Sequence, residues 1–476
     1  MIEGIVKKYN DGVIDDDGLF RSLFSAHFLI DIYQAKYKNS SAKGIDRING
    51  FQFSSRAAAE IYLACEKSIN GTYRFSPYLE VLKVKNREKP PRLISVPTIR
   101  DRIILSQLNK FLSIIYPERV TRNIASVYIR DISGKLAELP MDSTWVCGAD
   151  IVTFYDDVDI SRLIALLSRR IKSKIALKLI KSSLVTPTVP KNCSKNLYHK
   201  YKRACGIPQG LAISNILSSI YMQPIDDGMV GMGVGYHRYV DDVLMYGERD
   251  SVEFAFKSLK RRLQTRGLKL HPLSSEKTHF GRRCEPFLYL GYRFDGDTLT
   301  VRHATVERFL QSIAAKFSDF RHNKSKRLER LSYLNSSRLK DIFVSELNEK
   351  VAGAISDNKR YGWIAYFNQI NDMSLLYRID NAISNLFGRL GEFDFTAPPN
   401  LKKLSRAYWE MKFNPTGGYV KNYDSIVSLV DKLEFLVARG RVAPDESLSD
   451  EQIESRFQSY KRFVLSSMHA DEGVVY

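Results

Sequence analysis

Apolar residues fall along this chain in two rhythms. Up to about position 300, short strand-like runs alternate with stretches of helical spacing; beyond it the helical spacing takes over. Phe75 to Val84 and Arg92 to Val96 predict a hairpin around a loop from Lys85 to Pro91, and Ile99 to Ile115 predicts a helix. Trp145 to Val152 predicts a strand. Leu163, Leu167, Ile171 and Ile175 share one face of a basic helix that Ser161 would cap, with Arg169, Arg170, Lys172 and Lys174 nearby. Ile213 to Met222 predicts another helix. Tyr236 to Val240 and Val243 to Tyr246 then predict two short strands of a tight hairpin, and Val252 to Leu268 a helix ending near Gly267. Trp363, Phe367 and Ile370, then Ile379, Ile383, Leu386 and Leu390, recur at the spacing by which helices pack on one another. The fold class read from these elements is α+β: an antiparallel sheet with helices, followed by an all-helical C-terminal region.

Composition changes this picture at four points. The chain has 476 residues, enough for two or three domains, and shows no repeat or long flexible linker, so the domains are expected to pack together. No apolar run reaches membrane-spanning length and Met1-Ile2-Glu3-Gly4 does not open a signal peptide, so the reading is a cytoplasmic protein with no membrane partner. Cys65, Cys147, Cys193, Cys205 and Cys284 form no Cys-x-x-Cys pair; they are expected to be reduced, buried thiols with no zinc site. The net charge of +19 points to a polyanionic partner, nucleic acid before membrane. The basic run Arg321 to Arg330 is either a solvated helix face or part of that contact.

The hairpin carries the candidate chemistry, because Asp241 and Asp242 sit at its tip. Two adjacent like charges are unfavourable unless a cation neutralises them, and hard divalent ions with oxygen ligands do so while running phosphoryl transfer. Other acidic runs, Asp15-Asp16-Asp17, Asp156-Asp157 and Asp226-Asp227, lack strand-like residues on both sides and read as solvated loops. A third carboxylate, Asp150, lies near the end of the strand Trp145 to Val152, as a two-metal centre needs. Phe154 or Tyr155 would press on a nucleotide sugar or fill the core. Gly206-Ile207-Pro208-Gln209-Gly210 is a turn that lets backbone approach a ligand, with the Gln209 amide offered to a base or sugar.

Asp150 with Phe154-Tyr155, then Gly206 to Gly210, then Tyr239-Val240-Asp241-Asp242 resemble motifs A, B and C of reverse transcriptases in order and spacing. Lys277-Thr278 resembles motif D, and Phe287-Leu288-Tyr289-Leu290-Gly291 the primer-grip hairpin. Gly44-Ile45-Asp46 and Arg92 to Arg102 resemble the fingers motifs of the bacterial group II intron and retron branch. The resemblance spans roughly residues 40 to 300 and implies a right-hand polymerase: fingers and palm over 1–300, the palm mainly 140–160 and 206–300, then a helical thumb and C-terminal domain over 301–476. It implies two Mg²⁺ ions, Mn²⁺ being an alternative, on Asp150, Asp241, the Ile151 carbonyl and, less essentially, Asp242. Tyr155 matches the steric gate against a ribose 2′-hydroxyl. Arg92 with Lys83 or Lys85 matches the triphosphate clamp, and Lys277 the lysine that protonates pyrophosphate.

The expected activity is RNA-directed DNA synthesis from deoxynucleotides, with an RNA template and a DNA product. Untemplated or protein-primed synthesis and a non-catalytic RNA-binding scaffold remain open. Residues 301–476 read as helical, without carboxylates of an RNase H domain, a His/Asn nuclease or a zinc module. The helix after Gly210 runs Leu211-Ala212-Ile213-Ser214-Asn215, not the Ser-Pro common in intron enzymes. Gly362 to Tyr366 and Leu376 to Asp380 resemble the C-terminal region of defence-associated, abortive-infection reverse transcriptases. That would imply antiphage defence and work with a dedicated noncoding RNA or priming from the protein itself; a homo-oligomer is left open. The terminal Tyr476 is a candidate protein primer.

Overall fold

The computed structural model describes residues 2–84, 91–120, 125–275 and 277–472. Lys85, most of its loop and Tyr476 lie outside the described residues. Contacts divide the chain into two units, Met1–Arg122 with Ala149–Phe280, and Asn123–Gly148 with Gly281–Tyr476.

In the first unit, β1 (Tyr78–Lys83) pairs antiparallel with β2 (Arg92–Val96), the expected hairpin three residues shorter at its start. The short β4 (Thr188–Val189) adds to β1 in parallel. A second sheet has the order β5-β6-β3-β7, from β3 (Trp145–Val152), β5 (Gly235–Tyr239), β6 (Asp242–Gly247) and β7 (Lys269–Leu270). Val243 to Tyr246 are buried without alternation because β6 is an inner strand covered on both faces. The helix Arg249–Gln264 brings Val252, Ala255, Phe256, Leu259 and Leu263 to the core.

The helix Ile99–Ile115 has the expected bounds. Thr98 caps it, and the buried Asp101 in its first turn accepts from the Tyr73 hydroxyl at 2.6 Å and the Ser76 amide at 3.0 Å. Burial pushes the Asp101 carboxyl above its usual range. The basic helix, in contrast, is two helices. Asp159, not Ser161, caps Ile160–Leu167, and Ser173 caps Lys174–Val185. The break is held from afar: buried Asp16 accepts the Lys172 and Ser173 amides at 2.6 and 2.7 Å. The Asp15–Asp17 run is therefore structural, Asp15 itself capping the helix Asp16–Leu23. The helix after Gly210 runs Ser214–Met229 and so includes Asp226 and Asp227, which the sequence placed in a loop.

In the second unit β8 (His279–Arg282) leads to a meander of β9 (Phe287–Tyr289), β10 (Tyr292–Asp295) and β11 (Thr298–Val301), with the expected primer-grip hairpin turning at Leu290-Gly291. Beyond it the chain is mostly helical, from His303–Arg330 to Asp450–Asp471. It is not all helical: Ala354–Ser356, Lys359–Tyr361 and Lys421–Asn422 form a small sheet, too short for a residue pattern to announce. Phe317, Phe320, Phe343, Phe387 and Phe393 pack ring against ring under the helices. Among the described residues no helix is long and apolar enough to cross a membrane. Cys65 and Cys147 are buried, but Cys205 and Cys284 are exposed, because both lie in turns rather than in the core.

Candidate active site

Tyr239 pairs with Asp242, so Val240 and Asp241 form a two-residue hairpin loop. Val240 has φ of 56°, a left-handed conformation that a β-branched side chain resists at a cost of about 1–3 kcal/mol. The surrounding structure imposes it. Arg238 donates to the Val240 carbonyl at 2.9 Å, and its other nitrogens grip Asp226 at 2.8 and 2.5 Å. The Tyr236 hydroxyl adds a bond to Asp226 at 2.9 Å, and Arg119 lies 3.7 Å from the same carboxylate. The Arg238 and Asp226 side chains are 9% and 15% exposed, so this grip is little screened by water. The acidic pair dismissed as solvated thus anchors the hairpin that bears the candidate metal ligands.

Asp150 is brought to that tip by backbone. The Ile151 amide donates to the Asp241 carbonyl at 3.1 Å, while the Asp150 carbonyl accepts from His271 at 3.0 Å on the other edge of β3. A strand residue's N–H and C=O share an edge and alternate sides along the strand. The Ile151 carbonyl therefore faces the hairpin. Just beyond, Thr153 is a second β-branched residue in the left-handed region, with φ of 45°; its hydroxyl donates to Asp157 at 2.5 Å. The turn that carries Asp241 and the turn that follows the strand of Asp150 are both strained.

A cation already occupies one acid. The Lys277 ammonium lies 2.5 Å from Asp150 Oδ2 and 3.2 Å from His271 Nε2. Among the described residues no three His, Cys, Asp or Glu side chains converge closely enough to form a closed metal cage. The donor set nevertheless suits Mg²⁺, a hard ion usually held by one or two carboxylates with water and substrate phosphates. Asp150, Asp241 and the Ile151 carbonyl supply such oxygens, and Asp242 begins β6 beside them.

The remaining expected residues gather around this centre. Tyr155 donates to Asn215 at 2.8 Å, and its phenol is raised by burial and by the Asp241 charge, which opposes ionisation. Phe154, by contrast, is 2% exposed and belongs to the core. Gly206 donates to the Val158 carbonyl and Ile207 to the Tyr155 carbonyl, each at 2.7 Å, which ties the Pro-Gln-Gly turn to the segment after Asp150. Gln209 accepts the Ser95 amide at 2.7 Å through its backbone carbonyl, leaving its side chain out of that bond. Gly210 has φ of 103°, and a Cβ there would meet Ser95 O at 2.9 Å, so only glycine fits against β2. On that hairpin Lys83 and Arg92 are direct cross-strand partners. Two cations opposite one another repel and invite an anion. Arg92 also acts electrostatically on Tyr155 and Asp156.

The sequence reading missed Asp226 and Arg238. The signal available was Arg238, a guanidinium inside an apolar strand run, which a partly buried strand tolerates only with a carboxylate partner.

Residues 84–294 match the family of reverse transcriptases (RNA-dependent DNA polymerases). The chain is 24% identical over 262 residues to the group II intron-encoded protein LtrA of Lactococcus lactis subsp. cremoris, covering 50% of this chain and 39% of that protein. It is 29% identical over 172 residues to a putative COX1/OXI3 intron 2 protein of Saccharomyces cerevisiae, covering 34% and 19%. The chain thus spans less than half the length of these curated relatives. Among solved structures it is similar to a telomerase from Candida albicans in complex with a fragment of telomeric RNA, at 11% identity and a TM-score of 0.42, covering 77% of this chain and 69% of that one. The chain carries a reverse transcriptase domain with homology to group II intron-encoded proteins.

Proposed function

We propose that this chain is an RNA-directed DNA polymerase that adds deoxynucleotides to a 3′-hydroxyl at the centre formed by Asp150 and Asp241. The observation that carries this reading is the bond from the Ile151 amide to the Asp241 carbonyl, which fixes the strand that bears Asp150 against the turn that bears Asp241. Asp150, Asp241 and the Ile151 carbonyl would hold two Mg²⁺ ions, with Asp242 an auxiliary ligand. When bound, such ions neutralise charge on the attacking oxygen and on the leaving pyrophosphate.

The chain's own side chains supply position and protons. Lys83 and Arg92, facing each other across their hairpin, would grip the triphosphate from the fingers side. The Tyr155 ring, braced through its hydroxyl by Asn215, would stand against the sugar and exclude a 2′-hydroxyl. Gln209 and Gly210 would form the floor under the nascent base pair. Lys277, which pairs with Asp150, would give a proton to pyrophosphate as it leaves and restore charge balance at the carboxylate between turnovers. Positioning and electrostatic stabilisation would account for most of the rate. We propose further that the enzyme works with a dedicated noncoding RNA in antiphage defence, a reading supported by the C-terminal resemblance.

The test is incorporation of labelled deoxynucleotides by the full chain on a primed RNA template, with sequencing of the product. A product complementary to the RNA is expected. Synthesis that ignores the template would identify an untemplated transferase, and RNA binding without synthesis a scaffold; either result overturns the proposal. Sequencing of co-purified nucleic acid is expected to return one structured RNA species, and a random mixture would sink the dedicated-RNA reading.

A further inference from the structure

Away from the acids, the first unit contains a cavity of about 240 Å³ lined by Arg162, Ala165, Leu166, Arg169, Thr265 and Arg266. Two helix ends meet there, Ile160–Leu167 and Arg249–Gln264. Among the described residues no acid lines it, although Arg162 also pairs with Asp159 at 3.4 Å. Two of the three guanidiniums are held in place. Arg162 donates to the Thr265 carbonyl, and Arg266 lies 5.6 Å from the ring of Tyr221, which is fully buried.

We propose that this pocket binds a phosphodiester group of an RNA strand at a distance from the polymerising centre. Three guanidiniums converging on one space repel unless an anion joins them, and arginine is the residue that matches phosphate geometry. That repulsion is felt within the pocket: burial above all, with the charges of Arg162 and Arg169 and against the pull of Tyr221, lowers the proton affinity of Arg266. Size selects the ligand. Pockets for whole small molecules hold about 300–1,000 Å³, so this cavity suits a phosphate with part of its sugar, not a nucleoside triphosphate. Capping of carbonyls explains Arg162 but not Arg169 or Arg266 turned to the same space. The choice of RNA rests on the polymerase reading; the preference for a phosphate anion does not.

The experiment compares single-stranded RNA binding by the full chain and by Arg162→Gln/Arg169→Gln/Arg266→Gln, using fluorescence anisotropy over a salt series. Losing one phosphate contact should lower the slope of log affinity against log salt by about 0.7, and affinity about five-fold near 0.1 M salt. Lys7→Gln/Lys8→Gln/Lys67→Gln, which removes equal charge elsewhere, should change neither as much. Arg169→Glu, at an exposed position, repeats the test with less risk to folding and should also weaken binding. Equal losses in the two triple variants would overturn the proposal, as would unchanged RNA binding. Inorganic phosphate that raises the melting temperature of the wild type alone, with RNA binding unchanged, would assign the pocket to free phosphate instead. Incorporation on a short primed template should be spared by Arg169→Glu, so failure of synthesis in the wild type would refute the polymerase reading without deciding this one.

Discussion

Two groups of acids in this molecule are held in opposite ways. In the second unit Glu349 is 4% exposed and enclosed: Arg439 pairs with one carboxylate oxygen at 2.5 Å, and Tyr423 and Tyr460 point hydroxyls at the other from 3.4 and 3.5 Å. In the first unit Asp241 stands on a strained turn and Asp150 on a strand just before another, and the partner of Asp150 is a lysine with its side chain 38% exposed. Burial raises the Glu349 carboxyl, and the arginine and tyrosines compensate a group that has nowhere else to go. An enclosed acid contributes to folding. An acid paired with a long, partly exposed lysine can give that partner up, as the proposed function requires of Asp150.

The comparison breaks first at Asp241. Asp241→Asn should reduce deoxynucleotide incorporation by roughly 10³-fold or more, the scale of losing charge stabilisation in a transition state. RNA affinity and melting temperature should change little. Retained synthesis would remove Asp241 from the centre, and a large loss of stability would place it with Glu349. The converse substitution, Glu349→Ala, should cost about 3–5 kcal/mol in denaturant unfolding because Arg439 is left buried without its partner. Its specific activity per folded molecule should stay near wild type. A stable Glu349→Ala protein would show that the enclosed network is not what holds the second unit together.

The third test lies between the two types. Asp226 is little exposed, as an enclosed acid is, yet its ligand Arg238 holds the strained Val240 turn. Asp226→Asn should therefore lower kcat by about 10–100-fold, the usual cost of disturbing groups that orient metal ligands. The Mg²⁺ concentration for half-maximal rate should rise, with KM for deoxynucleotide nearly unchanged. A purely structural role would lower stability and leave the Mg²⁺ dependence in place.

What the sequence disclosed follows the same division between local and distant causes. The hairpin at Asp241, the helix Ile99–Ile115 and the Pro-Gln-Gly turn are specified by neighbouring residues and were legible, although the hairpin loop falls one residue earlier than expected, on Val240-Asp241, with Asp242 already in the strand. The helix break after Leu167 was not, because Asp16 holds it from 156 and 157 positions away. Nor was the role of Asp226, since an acid in a helix declares its partner only in three dimensions. The positive φ of Val240 was hidden for a related reason: valine is a poor choice for that turn, and Arg238 and Asp226 enforce it. The small sheet of the second unit joins strands of two and three residues that carry no periodic signal.

The smallest effect concerns pH. The Ser173 hydroxyl, which donates to Asp17 at 2.6 Å, and then Arg21 hold the Asp17 carboxyl below its usual range. A carboxyl depressed in the folded state stabilises the fold above its unfolded pKa and loses that contribution as pH falls through the folded value. Asp17→Asn should thus be less stable than wild type at neutral pH, and the two melting curves should converge as acid protonates Asp17. Glu349 has the reverse sign. Its raised carboxyl takes a proton more readily folded than unfolded, so protonation at Glu349 itself does not drive acid unfolding of the second unit. If the gap between wild type and Asp17→Asn stayed constant down to pH 3, Asp17 would act by packing alone and the charge-based contrast would fail at its weakest point.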